Sequence, residues 1–364
     1  MRNARISVFV TMLVLICIGI VMIYSASSIF TWQASGESYG LLKKQCLYLF
    51  IGCIAMVCTM AVDYHLLRRI AKPLLIFSVI PLVLVLVPGI SREVGGAKRW
   101  LHIAGFNYQP TEFVKVALIV YLADYLNRKA AYLKEFWRGF VPPICVLGVI
   151  TLLVLLQPDL GTAVSFVVLT FTMLFVSGIR LSHMVISAVS ALPVLYLLVF
   201  RVPYRRARIL AFLNPWLDPQ GTGFQIIQSQ IALGSGGIFG LGLGQGRQKL
   251  FYLPAAHTDF IFSIITEELG LVGACAVILL FIFLIWQMGR IIRKVNDPFG
   301  KLVCVGVMTL IAFSAVVNIG VSIGALPTKG LPLPFISYGG SSLVFYMVAV
   351  GLLLNVSKSE EVAL

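Results

Sequence analysis

Runs of some twenty largely apolar residues recur along almost the whole of this chain, at about 8–30, 45–62, 73–90, 110–127, 141–157, 159–177, 182–200, 259–288, 302–324 and 338–356. Crossing the hydrocarbon of a bilayer takes roughly 20 residues of helix, and no backbone group can be left unpaired there, so each run predicts a transmembrane helix. The expected fold class is all-α: a polytopic membrane protein of about ten transmembrane helices forming one integral membrane domain over residues 1–364. Composition agrees, because a chain that is 59% hydrophobic and 12% charged cannot coat a soluble core. The first run follows Arg2 and Arg5 but is too long for the core of a secretory signal and lacks a small-residue cleavage site, so it is expected to remain as the first span. Only Gln157-Pro158-Asp159 separates the fifth and sixth runs; proline removes a donor and disfavours helix in the residue before it, which predicts a tight reversal.

The formal charge of +14 falls in short clusters between apolar runs instead of one stripe, which argues against a nucleic-acid partner and for a record of topology. With the N-terminus cytoplasmic, the inner loops carry Arg68, Arg69, Lys72, Arg128, Lys129, Lys134, Arg138, Arg180, Arg290, Arg293, Lys294 and Lys301, against Lys43, Lys44, Lys98 and Arg99 on short outer loops. Both termini are then cytoplasmic, and residues 201–258 form one long extracytoplasmic loop between the seventh and eighth spans. The seven cysteines lie in apolar segments without paired spacing or neighbouring histidines, so neither a disulfide nor a metal site is expected.

A charge at membrane depth is costly and usually functional, which makes the 14 acidic residues informative. Glu112 follows Gln109-Pro110-Thr111, Asp159 follows Gln157-Pro158, and Asp259 follows His257-Thr258, each opening an apolar run. In the topology above all three are helix N-termini at the outer face, where free N–H groups and the helix dipole favour an anion. Each is open to two readings: an N-cap, or a member of a site that keeps a carboxylate ionised and binds phosphate nearby. Lys115, one turn after Glu112 on the same side of the helix, predicts a buried ion pair. Ser263, Thr266 and Gly270 share a helix face below Asp259; this stripe lines a groove or marks close helix packing. Glu267 and Glu268 lie deeper still and require a polar interior or a partner. The 201–258 segment begins with Arg201, Arg205, Arg206 and Arg208 and later carries two glycine-rich runs and Arg247-Gln248-Lys249. Clustered arginines suit phosphates, of a substrate or of lipid headgroups, and glycines allow close backbone approach.

Six motifs, in order, carry a resemblance to a known family: Gly96-Ala97-Lys98-Arg99-Trp100, Gln109-Pro110-Thr111-Glu112-Phe113-Val114-Lys115, Gln157-Pro158-Asp159-Leu160-Gly161-Thr162, Arg247-Gln248-Lys249, His257-Thr258-Asp259-Phe260-Ile261-Phe262 with Glu267-Glu268, and Pro332 through Ser342. Together they resemble the SEDS family (shape, elongation, division and sporulation), whose branches are FtsW, RodA and SpoVE. Phe212-Leu213-Asn214-Pro215-Trp216 and Lys329-Gly330-Leu331 look more like the FtsW and SpoVE branches. Ala255 stands where the family usually shows glutamate. The resemblance implies a peptidoglycan glycosyltransferase that polymerises lipid II, an undecaprenyl-pyrophosphate-linked disaccharide-peptide, beside a monofunctional class B penicillin-binding protein. It implies Asp259 as the catalytic acid, here expected as general base. Lys98, Arg99, Arg205, Arg206 and Arg208 are expected to hold pyrophosphates, with Glu112, Lys115, Asp159, Arg247, Lys249, His257, Thr258 and Ser263 binding substrate or lining the cavity. A divalent cation, Mg or Mn, is compatible with the leaving group, though no ligand cluster demands one. A lipid II flippase shares the intramembrane Glu and Lys, and a non-catalytic scaffold of the division or elongation complex shares the rest. The one-sided placement of the acids favours the enzyme over a carrier with a midplane site.

Overall fold

In a computed structural model of the protein, which describes residues 1–94, 97–103, 105–250 and 252–362, the chain is mostly helical. The described residues form α1 (Arg2–Ser35), α2 (Gly40–Ala61), α3 (Tyr64–Leu84), α4 (Pro110–Arg128), α5 (Val141–Leu156), α6 (Leu160–Val176), α7 (Leu181–Phe200), α8 (Pro203–Leu213), α9 (Phe224–Ser235), α10 (Ile261–Ile292), α11 (Pro298–Ser322) and α12 (Gly340–Val362). Each of the ten apolar runs coincides with a helix: α1 to α7 and α10 to α12. By length and composition seven qualify as membrane-crossing among the described residues: α1, α2, the stretch ending in α5, α7, α10, α11 and α12. α6 is apolar but shorter, while α3 and α4 carry several ionisable residues. The Gln157-Pro158-Asp159 reversal forms as expected, with Asp159 capping α6 by accepting hydrogen bonds from Thr162 N at 3.1 Å and Thr162 Oγ1 at 2.8 Å.

The bundle is built around α11, which packs against α4, α6, α9, α10 and α12. α2 lies along α12, α3 along α4, and α1 along α10. α4, α11 and α12 bury almost their whole circumference, whereas α7 leaves Ile186, Val189, Leu192 and Tyr196 more than half exposed, a surface suited to lipid.

Two features depart from an all-α bundle with an open outer loop. Residues between α3 and α4 form a three-stranded antiparallel sheet, β1 (Ser91–Val94), β2 (Ala97–Ile103) and β3 (Phe106–Tyr108), in the order β1-β2-β3. Strand alternation sends consecutive side chains to opposite faces: Lys98 is exposed, while its neighbour Arg99 turns inward. The 201–258 segment is also folded rather than open. It holds α8, a short turn of helix at Pro215–Leu217, and α9, which packs against α10 and α11.

The chain after α9 then runs against α10 at a break in that helix. Gly270 has φ 69° and ψ −168°, which only glycine adopts readily, and a side chain there would fall 2.3 Å from Gly240 N. The break frees backbone groups that the incoming segment satisfies: Glu267 O accepts from Leu241 N and Glu268 O from Gly242 N, both at 3.0 Å, while Leu271 N donates to Gly237 O at 2.9 Å. Irregular backbone at membrane depth is tolerated only when buried in protein in this way.

Candidate active site

At the end of the bundle that carries the sheet, the start of α10 meets the segment linking α11 to α12. Asp259 sits in a tight turn: the N–H groups of Thr258 and Asp259 donate to Ala255 O at 3.0 and 3.1 Å. Ala255 makes this turn at φ 56°, a left-handed conformation in which a side chain is strained. The carboxylate of Asp259 caps nothing; Phe260 is the residue before α10 and no side chain caps that helix. The simple N-cap reading therefore holds for Asp159 and fails for Asp259.

Long-range hydrogen bonds fix the turn. Asn318 Nδ2, from α11, donates at 2.9 Å to both Asp259 O and Leu331 O. Ser337 Oγ donates to Thr258 O at 2.7 Å, and Tyr338 N donates to His257 O at 2.9 Å. The result places Gly330 against the carboxylate, so close that a Cβ there would lie 3.2 Å from Asp259 Oδ2.

Asp259 and Thr258 line a polar cleft of about 360 Å³ with Tyr48, Arg99, Asn107, Gln109 and Ser342. Burial pushes the carboxyl of Asp259 up to about 6, a rise that the Arg208 and Arg99 charges restrain. Desolvation, rather than the helix dipole, thus sets its proton affinity, and it titrates just below neutrality, where a general base is most useful. The imidazole of His257, packed against the Tyr338 ring with centroids 5.8 Å apart, has its proton affinity lowered by burial.

A second cavity, of about 230 Å³, adjoins the first and shares Arg99 and Gly330 with it. Asp159, Tyr204, Arg205, Arg208 and Lys329 give it a charged mouth, and Leu160, Val164, Leu195, Val199 and Ile209 give it apolar walls between α6, α7 and α8. Arg99 stands at the junction, donating from Nε to Gln157 O at 3.2 Å and from Nη2 to Pro158 O, 3.7 Å from Asp159 Oδ2. Burial lowers the proton affinity of Lys329, and Asp159 opposes that shift. Arg205 is spent on structure, bonding Leu198 O at 2.9 Å and Tyr204 Oη at 3.0 Å.

Other predicted site residues lie elsewhere. Lys98 and Arg206 are exposed and line neither cavity. Lys249 is buried in an ion pair with Glu268 at 2.6 Å and bonds Ser25 Oγ at 2.8 Å. The backbone N–H of Arg247 donates to Glu267 Oε1 at 2.8 Å, tying that segment to α10. Ser263 is wholly buried against Ser229 of α9, with 2.6 Å between the hydroxyls, so the stripe under Asp259 is a packing seam and no groove. Glu112 and Lys115 form the expected buried pair at 2.7 Å, with the ammonium 5.8 Å from the Tyr346 ring centroid, but neither lines either cavity.

Tyr48, Asn107, Lys329, Gly330 and Asn318 were not singled out as site residues from sequence; only the Lys329-Gly330-Leu331 motif pointed near them. No group of three or more His, Cys, Asp or Glu that could hold a metal occurs among the described residues. Asp159 is engaged by Thr162 and lies 3.7 Å from Arg99 Nε.

A helical membrane protein with an acid-floored polar cleft at one end of its bundle, opening into a cationic cavity with apolar walls, is the class these features define. The profile of the family described as "Cell cycle protein", that of FtsW, RodA and SpoVE, matches residues 5–362, and the chain belongs to this family. It is 48% identical over 343 residues to the "Probable peptidoglycan glycosyltransferase FtsW" of Geobacter metallireducens, covering 94% of this chain and 92% of the relative. To the "Stage V sporulation protein E" of Bacillus subtilis it is 45% identical over 346 residues, 95% of this chain and 94% of the relative. A solved chain described under "Structural coordination of polymerization and crosslinking by a peptidoglycan synthase complex" superposes with a TM-score of 0.80 at 30% identity, covering 97% of both chains.

Proposed function

We propose that the protein is a peptidoglycan glycosyltransferase of the cytoplasmic membrane that joins lipid II units into glycan strands, with Asp259 as general base. The observation that carries this reading is the pairing of two cavities across Arg99 and Gly330. One is sized and lined for sugar hydroxyls above Asp259; the other is cationic at its mouth and apolar along its walls, as a polyprenyl pyrophosphate requires. Asp259 takes the proton of an acceptor sugar hydroxyl as that oxygen attacks the anomeric carbon of the donor. The bond from that carbon to the pyrophosphate breaks, and the polyprenyl pyrophosphate leaves against Arg99, Arg208 and Lys329.

The cleft end is then extracytoplasmic, ten helices cross the membrane, and both termini are cytoplasmic. The concentration of Arg68, Arg69, Lys72, Arg128, Arg290 and Arg293 at the opposite end supports this orientation. Likeness to a chain of a synthase complex described as coordinating polymerization with crosslinking supports a class B penicillin-binding protein as partner.

Polymerisation of purified lipid II in the presence of that transpeptidase tests the reading. Asp259→Asn is expected to reduce glycan synthesis by at least about 100-fold. Undiminished synthesis removes Asp259 from the role, and translocation of lipid II without polymer points to a flippase instead.

A further inference from the structure

We propose that the end of the bundle opposite the cleft holds one anionic phospholipid, its phosphate in a basic pocket at the start of α3 and an acyl chain in the groove between α3 and α5. The pocket encloses about 550 Å³ and is lined by His65, Arg68, Arg69, Lys72, Asp124 and Arg128. Asp124 is buried beneath it, 2.8 Å from Arg128 Nη2 and 3.8 Å from Arg68 Nε, and it orients these two guanidinium groups. His65 is engaged with Asp63 at 2.8 Å. Four permanent cations against one carboxylate leave the pocket at a net +3. Arg69 and Lys72 are exposed, and Arg69 interacts electrostatically with Asp63.

A topological excess of positive charge accounts for basic residues at this end. It does not account for their arrangement around a concavity, nor for what continues from it. Leu75, Ile76, Val79, Ile80, Val83 and Leu84 of α3 face Cys145, Val146, Val149 and Ile150 of α5 across a cavity of about 570 Å³ without a charged lining residue. Ile76, Ile80 and Val149 are half exposed or more, so the groove opens sideways, toward lipid. Lys72 stands one helical turn from Ile76. From Lys72 to Leu84, α3 advances about 18 Å at about 1.5 Å per residue, comparable to the roughly 15 Å of one hydrocarbon leaflet.

A free phosphate satisfies the pocket and leaves the groove without an occupant. A zwitterionic lipid fills the groove but brings its own cation to a basic pocket. An anionic phospholipid meets both ends, its headgroup pairing with Arg69 and Lys72 while Asp124 keeps Arg68 and Arg128 in place.

Native mass spectrometry of the full detergent-purified chain tests this, with phosphatidylglycerol or phosphatidylcholine of identical acyl chains and glycerol 3-phosphate as competitor. Phosphatidylglycerol is expected to be retained about tenfold more than phosphatidylcholine, and the preference is expected to vanish in Arg69→Ala/Lys72→Ala. Arg69→Lys/Lys72→Arg, which keeps the charge, is expected to keep the preference and so separates recognition from misfolding. Val79→Trp, which fills the groove, is expected to weaken both lipids. Equal retention of the two lipids, or unchanged preference in the alanine variant, overturns the proposal. Equally tight binding of glycerol 3-phosphate alone assigns the pocket to a soluble phosphate and overturns it as well.

Discussion

At the residue scale Asp259 stands apart: its carboxyl rises from 3.8 to about 6 because burial penalises its charge more than Arg208 and Arg99 relieve it. Holding that charge costs the folded state on the order of 3 kcal/mol above pH 6, and less as residual solvent screens it. Below about pH 4 the acid is protonated whether folded or unfolded, and the cost disappears. Asp259→Asn is therefore expected to melt higher than the native protein at pH 8 and at nearly the same temperature at pH 4, as thermal unfolding in detergent would reveal; a lower melting temperature at pH 8 contradicts the burial argument. Asp259 and the Glu112–Lys115 pair were legible in the sequence because their signals are local, a helix start and a three-residue spacing. Asn318 and Lys329 were not: Asn318 reaches Asp259 across 59 positions of chain, and nothing in local spacing encodes that approach. Arg206 shows the converse error, a basic residue in the right cluster on the wrong face of α8, while Arg205 and Arg208 reach the cavity.

Among the elements, the long helices follow directly from apolar length, and the Gln157-Pro158-Asp159 reversal from proline chemistry. The sheet over Ser91–Tyr108 was missed because its strands are short and lack a sustained alternation. The break in α10 was missed for a different reason. Gly270 looked like one more small residue in a packing stripe, and its meaning depends on Gly240 arriving from thirty positions upstream. The lock on that segment is Lys249 with Glu268 and Ser25, where Glu268 Oε2 also accepts from Gly244 N at 3.0 Å. Removing one member of a buried pair strands the other charge, at a cost of about 3–5 kcal/mol. Lys249→Met is accordingly expected to destabilise the protein by roughly that amount, and Lys249→Met/Glu268→Gln to recover most of it. If Lys249→Met instead leaves stability intact and weakens substrate use alone, Lys249 belongs to the site and the lock is misassigned.

For the whole molecule, one end of the bundle gathers the cleft, the sheet and the folded 201–258 segment, and the other gathers Arg68, Arg69, Lys72 and Arg128 around a basic pocket. The helical membrane class was readable from composition alone, but the depth to which the segment after α9 packs beside α10 was not, since loop length says nothing of where a loop goes. The proposed orientation predicts that a cysteine introduced at the exposed Trp216 reacts with an impermeant maleimide on intact spheroplasts, while one at Arg293 reacts only after permeabilisation. The reverse pattern would put the cleft in the cytosol and remove its access to exported substrate. The most direct test of the central claim is the pH dependence of kcat/KM for lipid II polymerisation. An ascending limb with an apparent pKa near 6, absent from whatever residual activity Asp259→Asn retains, is the predicted result. A profile flat from pH 5 to pH 8, or one whose ascending limb survives in Asp259→Asn, would contradict the assignment of Asp259 as the base.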